Sequence, residues 1–212
     1  MTWSITPSQL QGTAFRASPD GTGFTIDIPA TANIASDMVT CHATGPKADH
    51  VAVVFEDAGG ELLRFTYRDL ERQATQAAVA LKRIGIRRGD RVAIHSVQRP
   101  ETIIAHLATY KLGAIATTIS QLTGPDAMAH ILTDSGARAM FTHNDCWQRF
   151  RSERNSYQDL QQVIVAGPAA DGEIAFTDCL TGEPGEFRPL ATTSEDPTLL
   201  IYTSGSTGLP KG

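Results

Sequence analysis

The sequence lacks the features of membrane, secreted and nucleic-acid-binding proteins. None of its apolar runs approaches the roughly 18 residues that a membrane span needs. Met1 is not followed by the basic and then apolar stretch of a secretory leader. The formal net charge of -5 comes without a run of lysine or arginine, so a nucleic-acid backbone would be repelled. We therefore expect a cytoplasmic protein with no membrane span and no nucleic-acid partner.

Cysteine and histidine are scarce and scattered. The three cysteines, Cys41, Cys146 and Cys179, are an odd number with no C-x-x-C pair, which indicates reduced thiols rather than a disulfide framework. The six histidines, His42 and His50 among them, lack the spacing of metal ligands. These patterns predict neither a nucleophilic cysteine nor a metal site within the chain.

Two common nucleotide-binding motifs are absent. A Walker A loop needs four residues between its first glycine and a Gly-Lys pair, whereas Gly205 and Gly208 are three positions apart and Lys211 follows proline. A kinase or GTPase of that fold is therefore disfavoured. No G-x-G-x-x-G follows the predicted strand Arg91–His95, which also disfavours an NAD-type dinucleotide fold.

The chain divides by composition near residue 46. Residues 1–46 are rich in Gly, Ser, Thr, Ala and Pro without a sustained period, so we expect an irregular segment there. Residues 47–212 are expected to form part of one larger domain. This part opens on Val51–Glu56 and Leu62–Phe65, apolar runs around a short Gly-containing connection that predict a β-hairpin. Thr66 then has the character of a helix N-cap.

Strands and helices alternate further along the chain. The predicted elements are a helix that Thr66 begins and Gly85 ends, strand Arg91–His95, helix Pro100–Leu112, strand Ala114–Ile119, helix Pro125–Ser135, strand Arg138–Phe141, helix Asn144–Arg154, strand Val163–Ala166, a loop Thr181–Pro197 and strand Thr198–Tyr202. Val92, Ile115 and Arg138 recur at intervals of 23 residues, which leaves room for helical crossovers and predicts parallel pairing. The sequence therefore predicts an α/β fold: an open, mostly parallel sheet with helices on both faces.

The last predicted strand runs into a loop of small residues, hydroxyls and one lysine. Its sequence is Thr203-Ser204-Gly205-Ser206-Thr207-Gly208-Leu209-Pro210-Lys211-Gly212. Small residues let the backbone approach a phosphate, N–H and hydroxyl groups donate to its oxygens, and a lysine adds positive charge. Composition alone also allows a flexible linker, but the order of these residues favours a phosphate-binding loop.

With Tyr202 in front, this loop closely resembles the signature loop of the adenylate-forming superfamily, which comprises acyl-CoA synthetases, luciferases and the adenylation domains of peptide synthetases. The resemblance covers about Val51 to Gly212. Other stretches that look like family landmarks, in the expected order, are Phe65–Leu70, Gly89–Ala93, Lys111–Ala114 and Asp134–Ala137. The resemblance implies the N-terminal portion of the large domain of such an enzyme. It also implies that the β- and γ-phosphates of ATP are held by Thr203, Ser204, Gly205, Ser206, Thr207, Gly208 and Lys211.

Two further stretches, Gln98–Thr102 and Ile119–Asp126, are similar to bacterial short- and medium-chain acyl-CoA synthetases of the acetyl-CoA synthetase type. This resemblance implies that a carboxylic acid attacks ATP in the presence of Mg2+ to form acyl-AMP and pyrophosphate. Coenzyme A then takes the acyl group. The implied partners are therefore three small molecules: a carboxylic acid, ATP and coenzyme A.

The family residues that act in catalysis, bind the metal and contact adenine and ribose are expected beyond residue 212. We therefore expect no catalytic and no metal-binding residue within this chain, and no activity from the chain by itself. Alternatives within the superfamily are an adenylation domain that loads a carrier protein and a fatty-acyl-AMP ligase that stops before coenzyme A. A non-catalytic nucleotide-binding or interaction module is an alternative from another class.

Overall fold

The computed structural model describes residues 14–17, 23–27, 29–203 and 209–212. Its strands are β1 (Ala14–Ala17), β2 (Phe24–Asp27), β3 (Val51–Glu56), β4 (Leu62–Thr66), β5 (Arg91–His95), β6 (Ile115–Ile119), β7 (Ala139–His143), β8 (Gln162–Ala166), β9 (Ile174–Ala175) and β10 (Leu199–Ile201). Its helices are α1 (Cys41–Ala43), α2 (Tyr67–Arg83), α3 (Pro100–Lys111), α4 (Pro125–Ser135), α5 (Asn144–Trp147) and α6 (Phe176–Cys179), with a π-helical turn at Ser36–Thr40 and a 3-10 helix at Arg151–Ser156.

Six strands form one parallel sheet in the order β10-β6-β5-β7-β8-β9. Val92 of β5 pairs with Ala116 of β6 on one side and with Ala139 of β7 on the other, so β5 lies in the interior of the sheet. The predicted hairpin is also present, because β3 and β4 pair antiparallel. The α/β fold with a mostly parallel sheet is therefore confirmed.

Helices cover both faces of this sheet. The crossover from β5 to β6 through α3 and the crossover from β6 back to β7 through α4 run in opposite directions. Because such crossovers are right-handed, the two helices pack on opposite faces. Buried side chains on the α2 and α3 face include Leu70, Leu81, Ile94, Ile104 and Phe141. Buried side chains on the α4 face include Met128, Leu132, Met140, Trp147 and Val163.

Local sequence signals set the helix ends where they were predicted. Asp69 N–H donates to Thr66 Oγ1 at 3.1 Å, and Thr66 N–H donates to Asp69 Oδ2 at 3.0 Å, which is a reciprocal capping box at the start of α2. Hydrogen bonds from Thr66 hold the pKa of the Asp69 carboxyl below its usual range. After α4, Gly136 adopts φ +59°, and a Cβ there would lie 2.7 Å from Arg91 Nη2. Glycine is therefore favoured at that helix end, because its backbone adopts this left-handed conformation without strain.

The single helix predicted over Asn144–Arg154 is wrong. The α-helix α5 ends at Trp147, and a 3-10 helix follows from Arg151. Phe150 N–H bonds the carbonyl of Trp147 at 2.8 Å, three residues back, which tightens the turn. Glu173 Oε1 accepts from both Trp147 Nε1 at 2.6 Å and Arg151 Nε at 2.8 Å. These tertiary contacts stabilise the break between the two short helices, although the local sequence pattern favours one continuous helix.

The described part of residues 1–46, which we expected to be irregular, contains regular structure. Strands β1 and β2 pair antiparallel. The helical residues from Ser36 to Ala43 bury Val39 in the core cluster that also contains residues of α2 and α3. The placement of a domain boundary near residue 46 stays a prediction.

Asn33 ties this segment to the rest of the fold. Its Nδ2 donates to the carbonyls of Tyr110 at 2.8 Å and Leu190 at 3.0 Å, and its Oδ1 accepts from Ala35 N–H at 3.1 Å. Asn33→Ala removes these bonds from a buried site, so we expect a loss of about 2 kcal/mol in the free energy of unfolding. Urea denaturation measures it. Asn155→Ala, at an exposed position, is the control, and equal losses in the two variants would contradict the prediction.

Candidate phosphate-binding site

The carboxyl ends of the parallel strands lie at one edge of the sheet. β5 ends at His95, and its neighbours β6 and β7 end at Ile119 and His143. β5 connects to β6 on one side and β7 connects to β8 on the other, and these two connections lie on opposite faces of the sheet, so a topological switch point lies between β5 and β7. In open α/β sheets, ligands bind in the crevice at such a point, outside the carboxyl ends of the strands.

Strand β10 brings the predicted phosphate-binding loop to this edge. It pairs in parallel with β6, with Leu199 opposite Ala116 and Ile201 opposite Thr118, so Thr203 follows the sheet at its carboxyl edge. The structure describes Thr203 and Lys211 among the seven predicted phosphate-binding residues. The other five lie outside the described residues: Ser204, Gly205, Ser206, Thr207 and Gly208.

The two described ends of the loop are paired. Thr203 N–H donates to the carbonyl of Lys211, and Lys211 N–H donates to the carbonyl of Thr203, both at 3.0 Å. The chain therefore leaves the edge of the sheet at Thr203 and returns beside it at Lys211. Residues that lie opposite each other across an antiparallel bridge share a face, and both of these residues are exposed, so one phosphate group could meet the hydroxyl and the ammonium group.

Helix α4 contacts Tyr202, which precedes Thr203, and Pro210, which precedes Lys211. Tyr202 Oη donates to Asp134 Oδ2 at 2.5 Å. His130 Nε2 lies 2.8 Å from the carbonyl oxygen of Pro210, and the His130 and Tyr202 rings meet edge to face at 6.3 Å. Burial, reinforced by the bond to Asp134, raises the pKa of Tyr202, so its phenol keeps the proton that it donates.

The sequence did not single out these two residues of α4 as functional. In the sequence, Asp134 only begins the landmark stretch Asp134–Ala137, and His130 is one of the six scattered histidines. Their spacing of four residues puts them on one face of a helix, but the sequence gives no sign of what that face meets. The partners lie 68 residues away for Asp134 and 80 residues away for His130.

A second histidine lies at the carboxyl end of β5. His95 is fully buried, its ring meets Phe150 edge to face at 5.4 Å, and its Nδ1 lies 3.4 Å from Thr142 Oγ1. Its Nε2 has no hydrogen-bond partner among the described residues. Burial, with a smaller contribution from Arg149, lowers the pKa of His95 to about 4. The ring is therefore neutral near pH 7 and adds no positive charge to the edge of the sheet.

The loop after β6 is held by an arginine from the segment that follows α5. Arg149 Nη2 donates to the carbonyls of Gln121 and Thr123. Leu122 between them is 85% exposed. These residues belong to the stretch that resembles short- and medium-chain acyl-CoA synthetases, and the structure places them after β6, at the carboxyl edge of the sheet.

The described residues offer no other obvious reactive group. Burial raises the pKa of all three cysteine thiols, that of Cys179 to about 11, so none is a thiolate near pH 7. Within the part of the chain that the structure describes, no three His, Cys, Asp or Glu side chains are grouped to hold a metal ion. No helix in the same ranges is long and apolar enough to span a bilayer.

The fold and the site together define a doubly wound α/β protein with a candidate nucleotide site at the carboxyl edge of its sheet. The sequence model of the family described as AMP-binding enzyme matches residues 41–212. The chain belongs to this family.

Similar proteins confirm the resemblance to acyl-CoA synthetases. Acetyl-coenzyme A synthetase of Streptomyces coelicolor is 30% identical over 198 residues, which cover 86% of this chain and 30% of that protein. 3-Hydroxypropionyl-coenzyme A synthetase of Sulfurisphaera tokodaii is 30% identical over 198 residues, covering 85% of this chain and 30% of that protein. The crystal structure of the anthranilate CoA ligase AuaEII in complex with anthranoyl-AMP superposes with a TM-score of 0.79 at 28% identity, covering 87% of this chain and 34% of that one. The chain thus spans about a third of the length of the proteins that it matches.

Proposed function

We propose that the protein containing this chain activates a carboxylic acid with ATP and transfers the acyl group to coenzyme A. The observation that carries the proposal is the loop whose ends, Thr203 and Lys211, are paired at the carboxyl edge of the sheet. Family membership and the similarity to acyl-CoA synthetases support it. We further propose that Ser204, Gly205, Ser206, Thr207 and Gly208 complete the phosphate-binding set with these two residues.

The proposed first step brings two anions together. The substrate carboxylate attacks the α-phosphorus of ATP, the acyl-AMP forms, and pyrophosphate leaves. Negative charge grows on the departing pyrophosphate, so N–H groups, hydroxyls and an ammonium group placed at the β- and γ-phosphates stabilise the transition state. Lys211 would offset charge there. Mg2+, bound with ATP, would supply further charge neutralisation, and its ligands are proposed to lie outside this chain.

The binding and catalytic groups of the proposed enzyme would come partly from this chain and partly from the rest of the protein. This chain would supply the phosphate-binding loop and the sheet that supports it. The groups that contact adenine and ribose, the catalytic residues, most of the acyl pocket and the coenzyme A site would come from the remaining polypeptide, so we propose that this chain alone is inactive. The free cysteines are typical of a reducing compartment, which supports a cytoplasmic location.

Lys211→Ala in the full-length protein tests the role of the loop. Because a hydrogen bond to a charged group contributes about 1.5 to 3 kcal/mol, we expect kcat/KM for ATP to fall by about tenfold to hundredfold. The measurement is carboxylate-dependent ATP–pyrophosphate exchange with acetate, butyrate, octanoate and benzoate, followed by addition of coenzyme A. Lys47→Ala removes another exposed lysine and is the matched control.

The outcomes of this assay separate the alternatives. Exchange with one acid, weakened by Lys211→Ala and converted to thioester by coenzyme A, supports the synthetase and names its substrate. Exchange without thioester formation indicates an acyl-AMP ligase or an adenylation domain that loads a carrier protein. ATP binding without exchange for any acid contradicts the proposal for this panel and favours a non-catalytic nucleotide-binding module.

A further inference from the structure

Helix α4 holds both sides of the candidate phosphate-binding loop. Asp134 accepts the hydrogen bond of Tyr202, the residue before Thr203, and the His130 ring bonds the carbonyl of Pro210, the residue before Lys211. Each contact therefore lies one residue before one of the two paired ends. The helix therefore contacts the chain just before it enters the loop and again just before it leaves the loop.

The chemistry of the two groups shows that His130 is the donor in its hydrogen bond with Pro210. A backbone carbonyl only accepts hydrogen bonds, so Nε2 at 2.8 Å from Pro210 O must carry the proton and donate it. A neutral imidazole with its proton on Nε2 makes this bond without any charge. Pro210 contributes no N–H of its own, so its carbonyl is the backbone group through which α4 can hold this side of the loop.

The loop needs this support because β10, the strand that leads into it, is short and weakly held. It has three residues, Leu199–Ile201, and among the described strands it pairs with β6 alone. Ile201 is 57% exposed, so the described residues supply little apolar packing against its side chain. By contrast, α4 is fixed in the core by Met128, Ile131 and Leu132.

We propose that His130 and Asp134 are positioning residues that fix where Thr203 and Lys211 stand relative to the phosphates of ATP. This inference rests on the proposed function of the loop. His130 acts through the carbonyl of Pro210, and Asp134 acts through the phenol of Tyr202. Neither side chain needs to touch the nucleotide, because the contacts set the direction of the two chain segments that carry the binding groups.

The test compares His130→Ala with His130→Gln in the full-length protein. The side-chain amide of glutamine can still donate to the Pro210 carbonyl, so only alanine removes the bond. With alanine, we expect KM for ATP in pyrophosphate exchange to rise by about five- to tenfold, with kcat and KM for the acid little changed. Glutamine should recover most of the loss. Asp134→Ala and Asp134→Asn form a second pair, because the asparagine oxygen can still accept from Tyr202.

Amide hydrogen exchange gives a readout that does not depend on activity. Thr203 and Lys211 donate to each other, so loosening of the loop should speed exchange in the peptide covering residues 199–212. We expect faster exchange in His130→Ala and Asp134→Ala than in the glutamine and asparagine variants. Thr133→Ala, at an exposed position of α4 between the two residues, is the matched control.

The two hypotheses fail in different ways. If the wild-type protein shows no pyrophosphate exchange with any acid, the proposed function fails, whatever the variants do. If the wild type is active but His130→Ala and Asp134→Ala leave both KM for ATP and amide exchange unchanged, the positioning role is overturned. Equal effects of alanine and glutamine at His130 would overturn it too, because the hydrogen bond would then not be the cause.

Discussion

Lys111→Ala is expected to lower the free energy of unfolding by about 3 to 5 kcal/mol, because it breaks a buried ion pair from one side. The Lys111 side chain has no exposed surface, and its Nζ donates to Glu71 Oε1 at 2.7 Å and to Thr40 Oγ1 at 3.1 Å. Thr40 in turn donates to the other Glu71 oxygen at 2.8 Å. Burial lowers the pKa of Lys111, and the Glu71 carboxylate opposes that shift. Alanine would leave Glu71 largely buried without its cation.

Chemical denaturation followed by far-UV circular dichroism measures this loss. The double variant Lys111→Met with Glu71→Leu removes both charges and keeps much of the apolar volume, so it should be clearly more stable than Lys111→Ala. Lys47→Ala is the exposed-lysine control. A loss below about 1 kcal/mol for Lys111→Ala would show that the three-residue network does not join the N-terminal helical turn to α2 and α3 as the geometry indicates.

The second large effect is a pH dependence that comes from His95. Its pKa in the folded protein is lowered to about 4 from a usual value of 6.5, first by burial and then by Arg149. The unfolded chain therefore binds a proton between these two values while the folded protein does not. The stability due to the neutral ring is complete above pH 6.5 and is lost as the pH falls towards 4, by about 3 kcal/mol in all.

His95→Leu should remove this dependence. At pH 5 the variant is expected to be more stable than the parent by about 2 kcal/mol. Near pH 7 the two should differ by about 1 kcal/mol or less, because Nε2 has no described partner to lose and Thr142 Oγ1 lies at the outer limit of hydrogen-bond distance. Denaturation curves between pH 4.5 and 7.5 test this, with exposed His50→Leu as the control. Parallel pH profiles of the parent and His95→Leu would contradict the prediction.

The parts of the fold that sequence reasoning predicted depend on neighbouring residues. The capping box of Thr66 and Asp69 spans three residues, and the helix stop at Gly136 needs only a left-handed backbone. The parallel pairing follows from the length of the crossovers. By contrast, the break after α5 depends on Glu173, which lies 26 residues from Trp147. No periodic pattern within Asn144–Arg154 carries that information.

For the candidate site, too, local sequence predicts one part, and the other part depends on contacts between distant residues. The composition and order of the loop predicted its chemistry from residues 203–211 alone. The pairing of Thr203 with Lys211 at the carboxyl edge also requires β10 to join the sheet beside β6, and strand order is not written in any local pattern. The support from His130 and Asp134 depends on this strand order as well, because it brings α4 and β10 together from distant parts of the chain.

The strand order of the central sheet also describes a route by which a growing chain can fold on the ribosome. β5 is the first strand of this sheet to be synthesised, and β6, β7, β8 and β9 each add to an edge that already exists. No strand has to be inserted between two partners that have already paired, so each can pair when its crossover is complete. Of these six strands, β10 comes last and docks on β6, so the loop that we propose binds ATP is assembled only after the other five strands are in place.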